Sequence, residues 1–202
     1  SPVPPAMCNG GRMRSLLYSI NVTLDGCVDH AGSGVIPDQE LHERSAETIA
    51  AADALIFGRI TYQMMEEAWR PVAAGEPADW VEDWMRPFAR TIDGAKKYVV
   101  TQTLERVDWN AEIIRPADLE ASVRKLKAQA GGRLHTGGVR LPLTLVQLGL
   151  VDEFEFVVHP AVAGRGPRLL DGLPAPLPLT LMGRTDYASG AVALRYAAGI
   201  SA

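Results

Sequence analysis

Residues 131–141 read GGRLHTGGVRL, and no other stretch restricts the fold of this chain as strongly. Arg133, Leu134 and His135 suit a short strand, Thr136-Gly137-Gly138 a tight turn, and the mostly apolar run from there to about Leu148 a buried helix. Two glycines at such a turn remove side chains from one end of a sheet. The N–H groups of the following helix then face open space, with the positive end of the helix dipole behind them. That arrangement suits an anion, most often a pyrophosphate. A Gly-Gly turn between strand and helix also serves simply to let the two pack closely.

The surrounding pattern sets this turn in an alternating α/β chain. Residues 15–22 (SLLYSINV) form an apolar strand long enough to be central. Thr23-Leu24-Asp25-Gly26-Cys27 follows, then a loop of about ten residues over 28–37, too long for a hairpin and of the kind that covers a site. Pro37-Asp38 opens a helix with Asp38 as its N-cap and Leu41, Ser45, Ile49 and Ala50 on one face. Residues 52–57 (ADALIF) are a short buried strand ended by Gly58-Arg59, and residues 60–68 a short helix. Beyond a Pro/Gly-rich loop, residues 78–89 form a second helical stretch carrying Trp80, Trp84 and Phe88 as a core-facing stripe. Strands over 97–101 and 112–115 precede a helix over 118–130 with Leu119, Val123, Leu126 and Ala130 inward. After the Gly137-Gly138 turn comes a helix over 139–148, stopped by Gly149. A strand over 154–159 follows, with Glu153 and Glu155 alternating against Phe154 and Phe156. Two last strands, 179–187 and 191–196, flank the turn Ala188-Ser189-Gly190. This order predicts a three-layer α/β fold: a mixed, mostly parallel sheet, helices on both faces, and an antiparallel C-terminal hairpin. Residues 1–12 read as a flexible leader before a single domain over 13–202, with Met13 a candidate natural start.

Composition narrows the function classes. At 202 residues, 47% hydrophobic and 22% charged, the chain can bury one substantial core. A net charge of -4 supplies no basic field for nucleic acid or an anionic membrane. No run approaches the roughly 18 apolar residues of a bilayer span, and no signal-peptide layout is present. Cys8 and Cys27 do not suggest a structural disulfide, so a reducing cytoplasm is the expected setting. The four histidines lack metal-ligand spacing, so no metal is expected. No G-x-S-x-G elbow occurs, and His135 and His159 read as structural. Gly164-Arg165-Gly166-Pro167-Arg168 reads as a surface turn ahead of an anion site.

Ligands of open α/β sheets lie beyond the carboxyl ends of the strands. Three such ends carry polar or glycine-rich groups: Gly58-Arg59-Ile60-Thr61, Thr101-Gln102-Thr103 and Thr136-Gly137-Gly138. An arginine and two hydroxyl residues can hold a phosphate monoester, and the helix start after Gly138 a pyrophosphate. A cofactor carrying both is NADP(H). Leu24-Asp25-Gly26 brings a carboxylate towards the same edge, either as a turn former or as an acid.

These pieces, with Thr61-Tyr62, Thr103-Leu104, Leu141 and the stretch Leu148-Gly149-Leu150-Val151-Asp152-Glu153, resemble the dihydrofolate-reductase-like family. More narrowly they resemble the reductase domain of riboflavin biosynthesis, the C-terminal domain of RibD, and its stand-alone relatives, from Arg14 to Tyr196. The resemblance implies an eight- or nine-stranded mixed sheet, NADPH bound across its edge, and a homodimer. It places Gly137, Gly138, Val139, Arg140 and Leu141 along the pyrophosphate. Gly58, Arg59 and Thr61, with Thr101 and Gln102, fall at the adenosine end and its 2′-phosphate, and Thr136 is counted with the cofactor residues. Val22, Asp25 and Gly26 border the nicotinamide and substrate. The implied activity is hydride transfer from NADPH to a C=N or C=O of a small pterin- or pyrimidine-like heterocycle, with Asp25 or an ordered water as proton source. Riboflavin-pathway reductases resemble one another in a glutamate just before the Gly-Gly pair, where this chain has Thr136, and in an aromatic residue at the place of Val35. Dihydrofolate reductases keep an acidic residue on the helix after the covering loop; Glu40 and Glu43 stand on that helix here. A non-catalytic NADP-binding sensor or scaffold, and an interaction module using the sheet edge, remain as alternatives.

Overall fold

A computed structural model describes residues 13–29, 31–36 and 38–199. The leader expected over residues 1–12, with Cys8, lies outside them. The first strand, β1 (Ser15–Thr23), is followed by α1 (Gln39–Ala50), β2 (Ala52–Gly58) and α2 (Arg59–Ala73). Then come a 3-10 turn (Asp83–Met85), α3 (Arg86–Gly94), β3 (Lys97–Val100) and β4 (Ala111–Ile114). A second 3-10 turn (Pro116–Asp118) leads into α4 (Leu119–Ala128), β5 (Arg133–Thr136) and α5 (Arg140–Gln147). The chain ends with β6 (Glu153–His159), β7 (Leu179–Asp186) and β8 (Val192–Ala198).

The eight strands form one sheet in the order β4-β3-β2-β5-β1-β6-β8-β7. Every pairing from β4 to β6 is parallel, and β6-β8-β7 is antiparallel. This is the expected sheet and hairpin edge. The strand faces decide where helices go. Leu16, Tyr18, Ile20, Ile56, Leu134, Phe154 and Phe156 face α4 and α5, meeting Leu119, Val123, Leu126 and Leu145. Leu55, Phe57 and Val99 face the other way, where Ile49 of α1, Tyr62 and Trp69 of α2, and Phe88 and Ile92 of α3 close over them. Burial of these side chains, each worth about 1.5–3 kcal/mol, holds the three layers together.

Local signals explain most boundaries. Asp38 caps α1 as expected, its carboxylate accepting from Leu41 N at 2.9 Å. α2 runs five residues past the expected end because Trp69 and Val72 continue the buried face begun by Tyr62, while Pro71 sits in the last turn. The helix expected over 78–89 is not there. Pro87 lies in the first turn of α3, where a missing N–H costs nothing, so the helix starts at Arg86 and runs on to Gly94. Trp80, Trp84 and Phe88 therefore share no helical stripe. They still gather on the same cluster, Trp80 and Phe88 edge-on to Trp69 and Trp84 edge-on to His42.

A candidate dinucleotide cleft at the carboxyl ends of the strands

β2 and β5 are neighbours in the sheet, and the helices that follow them leave for opposite faces: α2 to one, α5 to the other. Their first turns face each other across the gap between the strand ends. A Cβ on Gly58 would stand 3.6 Å from Leu141, and one on Gly138 would stand 2.5 Å from the Thr61 hydroxyl. Gly138 also has a φ of +92°, so its residue type is fixed twice over, by backbone and by space. The Tyr18 hydroxyl donates to the Gly138 carbonyl at 3.0 Å and sets the orientation of the turn.

Charge at these two helix starts runs against the usual rule. α1 and α4 carry a glutamate in the first turn, Glu40 and Glu120, where the dipole favours it. α2 and α5 carry no acidic residue there and no side-chain cap; they begin with Arg59 and Arg140. Arg86 at the start of α3 is offset by Asp83 at 3.3 Å, whereas Arg59 touches only the neutral amide of Gln63 at 3.0 Å. Among the described residues no ion pair engages Arg59 or Arg140. Two uncapped helix N-termini and two arginines thus converge on one crevice, an arrangement that asks for a polyanion.

The rim is apolar. Leu24, Ile36, Ile60, Val139 and Val162, half of the exposed large hydrophobic residues, stand at or next to the strand ends and covering loop that border the crevice. Flat ring systems can cover such side chains.

Gly26, Gly58, Arg59, Thr61, Gln102, Gly137, Gly138, Val139, Arg140 and Leu141 all reach solvent, as expected of lining residues. Three of the expected residues do not. Val22 is buried in the core, one side chain among many facing α5. Thr101 is buried and its hydroxyl accepts from the N–H groups of Thr103 and Leu104, so it shapes the loop that presents Gln102. Thr136 is fully buried and donates to the Ile56 carbonyl at 2.8 Å; it ties β5 to β2 and offers nothing to a ligand.

Asp25 also differs from its expected role. Its carboxylate accepts from Thr23 Oγ1 at 2.6 Å, Ala163 N at 3.0 Å and Gly164 N at 2.8 Å, and pairs with Arg168 at 3.0 Å. These bonds, that from Thr23 foremost, hold the carboxyl well below the usual carboxylate range. A group so firmly ionised carries no proton to give near neutral pH. Asp25 instead clamps the loop after β1 to the loop after β6. Glu40 and Glu43 are engaged elsewhere, with Ala188 N and Gln39 respectively.

Sequence reasoning missed the polar face of the two central strands. Ser19 and Asn21 are partly exposed although β1 lies mid-sheet, so the α1-side layer leaves an opening over them. Gly137, which adds no side chain, is next to Ser19; a Cβ there would stand 3.6 Å from Ser19 O and 4.0 Å from His135 Cε1. Glu155 pairs with Ser19 in the β1–β6 ladder, and His159 Nε2 hydrogen-bonds to Asn21 Oδ1 at 2.9 Å. The available signal was the spacing of Ser15, Ser19, Asn21 and Thr23, four polar residues on one face of the strand, with Leu17 among them.

The doubly wound sheet and the basic crevice at its switch between β2 and β5 define an α/β protein of the dihydrofolate-reductase-like class. Within that class the chain belongs to the RibD C-terminal domain family, whose model matches residues 14–193. It is 28% identical to the uncharacterized protein YyaP of Bacillus subtilis over 194 residues, 94% of this chain and 98% of that one. A protein of Shewanella sp. PV-4, assigned provisionally to riboflavin biosynthesis, superposes with a TM-score of 0.68 at 15% identity, over 92% of this chain and 99% of that one. Dihydrofolate reductase from Enterococcus faecalis, complexed with NADP(H), superposes with a TM-score of 0.59 at 10% identity, over 92% and 97%. At these identities the structural likeness speaks for the fold.

Proposed function

We propose that the protein is an NADPH-dependent reductase of a small heterocycle. The observation that carries this reading is the pair of uncapped helix starts, each with an arginine in place of the usual acid. NADPH, when bound, supplies a hydride to a C=N or C=O group. The chain's own residues do the rest. The N–H groups of α2 and α5, with Gly58, Gly138 and Arg140, hold the pyrophosphate, and Arg59 with Gln102 holds the 2′-phosphate. Gly26 and Gly137 let the reacting rings approach the ends of β1 and β5, and Leu24 and Val162 keep water from them. Because Asp25 stays ionised, water delivers the proton, and catalysis is chiefly positioning.

The test is a fluorescence titration of NADPH and NADH on the wild type and Arg59→Ala. NADPH binding is expected to weaken on the order of tenfold in the variant, as for loss of a charge-assisted phosphate contact, with NADH nearly unchanged. Equal losses for both nucleotides would remove Arg59 from the 2′-phosphate, and no binding of either would end the reductase reading. Thr136, buried in the sheet at the place where the resemblance to riboflavin-pathway reductases implies a glutamate, favours a second reading, an NADP-binding protein without turnover. Oxidation of bound NADPH by a panel of pterins, pyrimidines and quinones separates the two.

A homodimer belongs to the same proposal. Among the described residues β7 pairs only with β8, and this edge strand displays Leu181 and Met182 to solvent. Such an edge is normally covered, and a second copy is the economical cover. Sedimentation at micromolar concentration should show a dimer that Met182→Lys shifts to monomer; a monomeric wild type would refute it. Among the described residues no helix is long and apolar enough to cross a membrane. A cytoplasmic setting and a small-molecule substrate complete the proposal.

A further inference from the structure

The core accounts for only one face of α2. Tyr62, Trp69 and Val72 are buried among Leu55, Phe57, Val99 and Phe88. On the opposite side, at the three- and four-residue spacing of a helix face, stand Ile60, Met64, Ala68 and Pro71. Ile60 is 64% exposed and Met64 55%, where an amphipathic surface helix would carry polar residues. Met64, Ala68 and Pro71 line a groove of about 500 Å³ together with Trp80. Trp80 is 52% exposed, yet its ring is not free, since it stands edge-on to the buried Trp69 with centroids 5.2 Å apart. The groove thus presents a large aromatic side chain that the core holds in place, as the anchors at the centre of protein interfaces are held.

The rim of the groove is acidic. Residues 60–83 hold six acidic residues and one basic one, Arg70, in a chain whose net charge is only -4. Arg70 is taken by Glu66 and Asp108, at 2.6 and 2.7 Å, and Asp83 is paired with Arg86 at 3.3 Å. Among the described residues no ion pair engages Glu67, Glu76, Asp79 or Glu82, and all four are exposed. Glu67 lines the groove itself, and Asp79 stands between its lining residues Ala78 and Trp80. Such a rim repels a polyanion or an acidic lipid surface and attracts a cationic partner with apolar side chains to fill the groove. The stripe from Ile60 to Pro71 runs about 16 Å at the rise of a helix. A partner helix presents its own i, i+4 and i+7 anchors over that length. A second copy of the chain fits poorly. Its exposed Leu181 and Met182 have Arg184 beside them, and that arginine is tied to Asp186 at 2.6 Å.

We infer that the α2 groove is a docking site for a cationic amphipathic helix of a partner protein. Trp80 and Met64 are its apolar anchors, and Glu67, Glu76, Asp79 and Glu82 are the charges that select the partner. The inference goes beyond the reductase reading and does not depend on it.

The probe is a synthetic amphipathic helix of leucine and lysine, and its control carries glutamate in place of every lysine. Each peptide is titrated by protein-observed NMR into the wild type, Trp80→Ala, Met64→Gln, and a charge variant combining Glu67→Gln, Asp79→Asn and Glu82→Gln. The lysine peptide is expected to bind the wild type with shifts centred on α2 and residues 78–82, and the glutamate peptide not to bind. Affinity should fall on the order of tenfold in Trp80→Ala and in the charge variant. Met64→Gln leaves the Trp69–Trp80 contact in place and should also weaken binding, so it decides the matter if Trp80→Ala disturbs the fold. Equal binding of the two peptides, shifts scattered over the whole surface, or affinities unchanged in the variants overturn the proposal. So does self-association in sedimentation that Met64→Gln abolishes and Met182→Lys leaves intact, which would give the groove to a second copy. The NADPH titration is separate, and its failure would leave the peptide result standing.

Discussion

Gly138→Ala should abolish NADPH binding while the sheet still folds. Two independent costs meet at this position. The backbone φ of +92° is one that an L side chain adopts at about 1–2 kcal/mol. The new methyl would also stand 2.5 Å from Thr61 Oγ1, closer than any real contact, although it would be at ordinary distances of 3.6 and 3.9 Å from Thr61 Cβ and Cγ2. Relief comes from turning the Thr61 hydroxyl away about χ1, or from movement of the Gly138–Val139 peptide or the first turn of α2, and the last two carry N–H groups that face the crevice. The expected result is a loss of roughly 1–3 kcal/mol in urea unfolding and at least a hundredfold loss in NADPH affinity. Thr61→Ala removes the hydroxyl responsible for the clash but leaves the backbone cost. The double variant should therefore recover part of the binding, and the shortfall measures the φ penalty. Gly137→Ala is the contrast: its methyl meets Ser19 O at an ordinary 3.6 Å, so folding should be untouched. Binding by Gly138→Ala within threefold of wild type would show that the crevice does not hold the dinucleotide.

Gly138 was legible in the sequence because a Gly-Gly turn after a strand is a backbone statement, and backbone statements are local. The Asp38 cap was legible for the same reason, and so was the C-terminal hairpin. The stripe of Trp80, Trp84 and Phe88 misled because helical spacing says nothing about whether a helix is allowed. Pro87 decides that, because its missing N–H costs nothing in the first turn of a helix and costs a hydrogen bond deep inside one. Glu155 failed differently. Alternation with Phe154 and Phe156 sends it to the opposite face of the sheet, correctly, but does not say whether that face is wet. α1 and the β7–β8 turn cover it from far along the chain, with Leu41 packed against Tyr187 and Ala193. Asp25 shows the same limit. Its arrival at the strand edge was readable, whereas its capture by Ala163 and Gly164 depends on a loop 138 and 139 residues away.

Lys97 carried no sequence signal at all, and it is expected to produce an unusual pH dependence. At the start of a strand it reads as a solvated flank, yet it is fully buried. Its ammonium donates to the carbonyls of Asp93 at 3.2 Å and Ala95 at 2.8 Å and lies 4.0 Å above the Trp109 ring. Trp109 Nε1 in turn donates to Asp93 Oδ1 at 2.7 Å, so the lysine closes the end of α3 onto the core. Burial lowers its pKa to about 8; Asp93 and Glu66 oppose that shift and Arg70 adds to it. In the unfolded chain the same group titrates at about 10.4. Below pH 8 both states are protonated, and the full cost of burying the charge is present. Between about pH 8 and 10.4 the unfolded chain holds a proton that the folded one has released, so this group makes stability rise with pH. The span corresponds to a gain on the order of 3 kcal/mol. Lys97→Met keeps the stem and removes the charge. It should match or exceed the wild type in urea unfolding at pH 7 and fall behind it near pH 10, where the neutral amine still bonds both carbonyls. Subtracting one protein from the other cancels Tyr18, Tyr62 and Tyr187, whose hydroxyls are pushed up by burial in both. A difference between wild type and Lys97→Met that is flat from pH 7 to 10 would mean that the ammonium is solvated and that the lock on α3 is only apolar packing against Trp109.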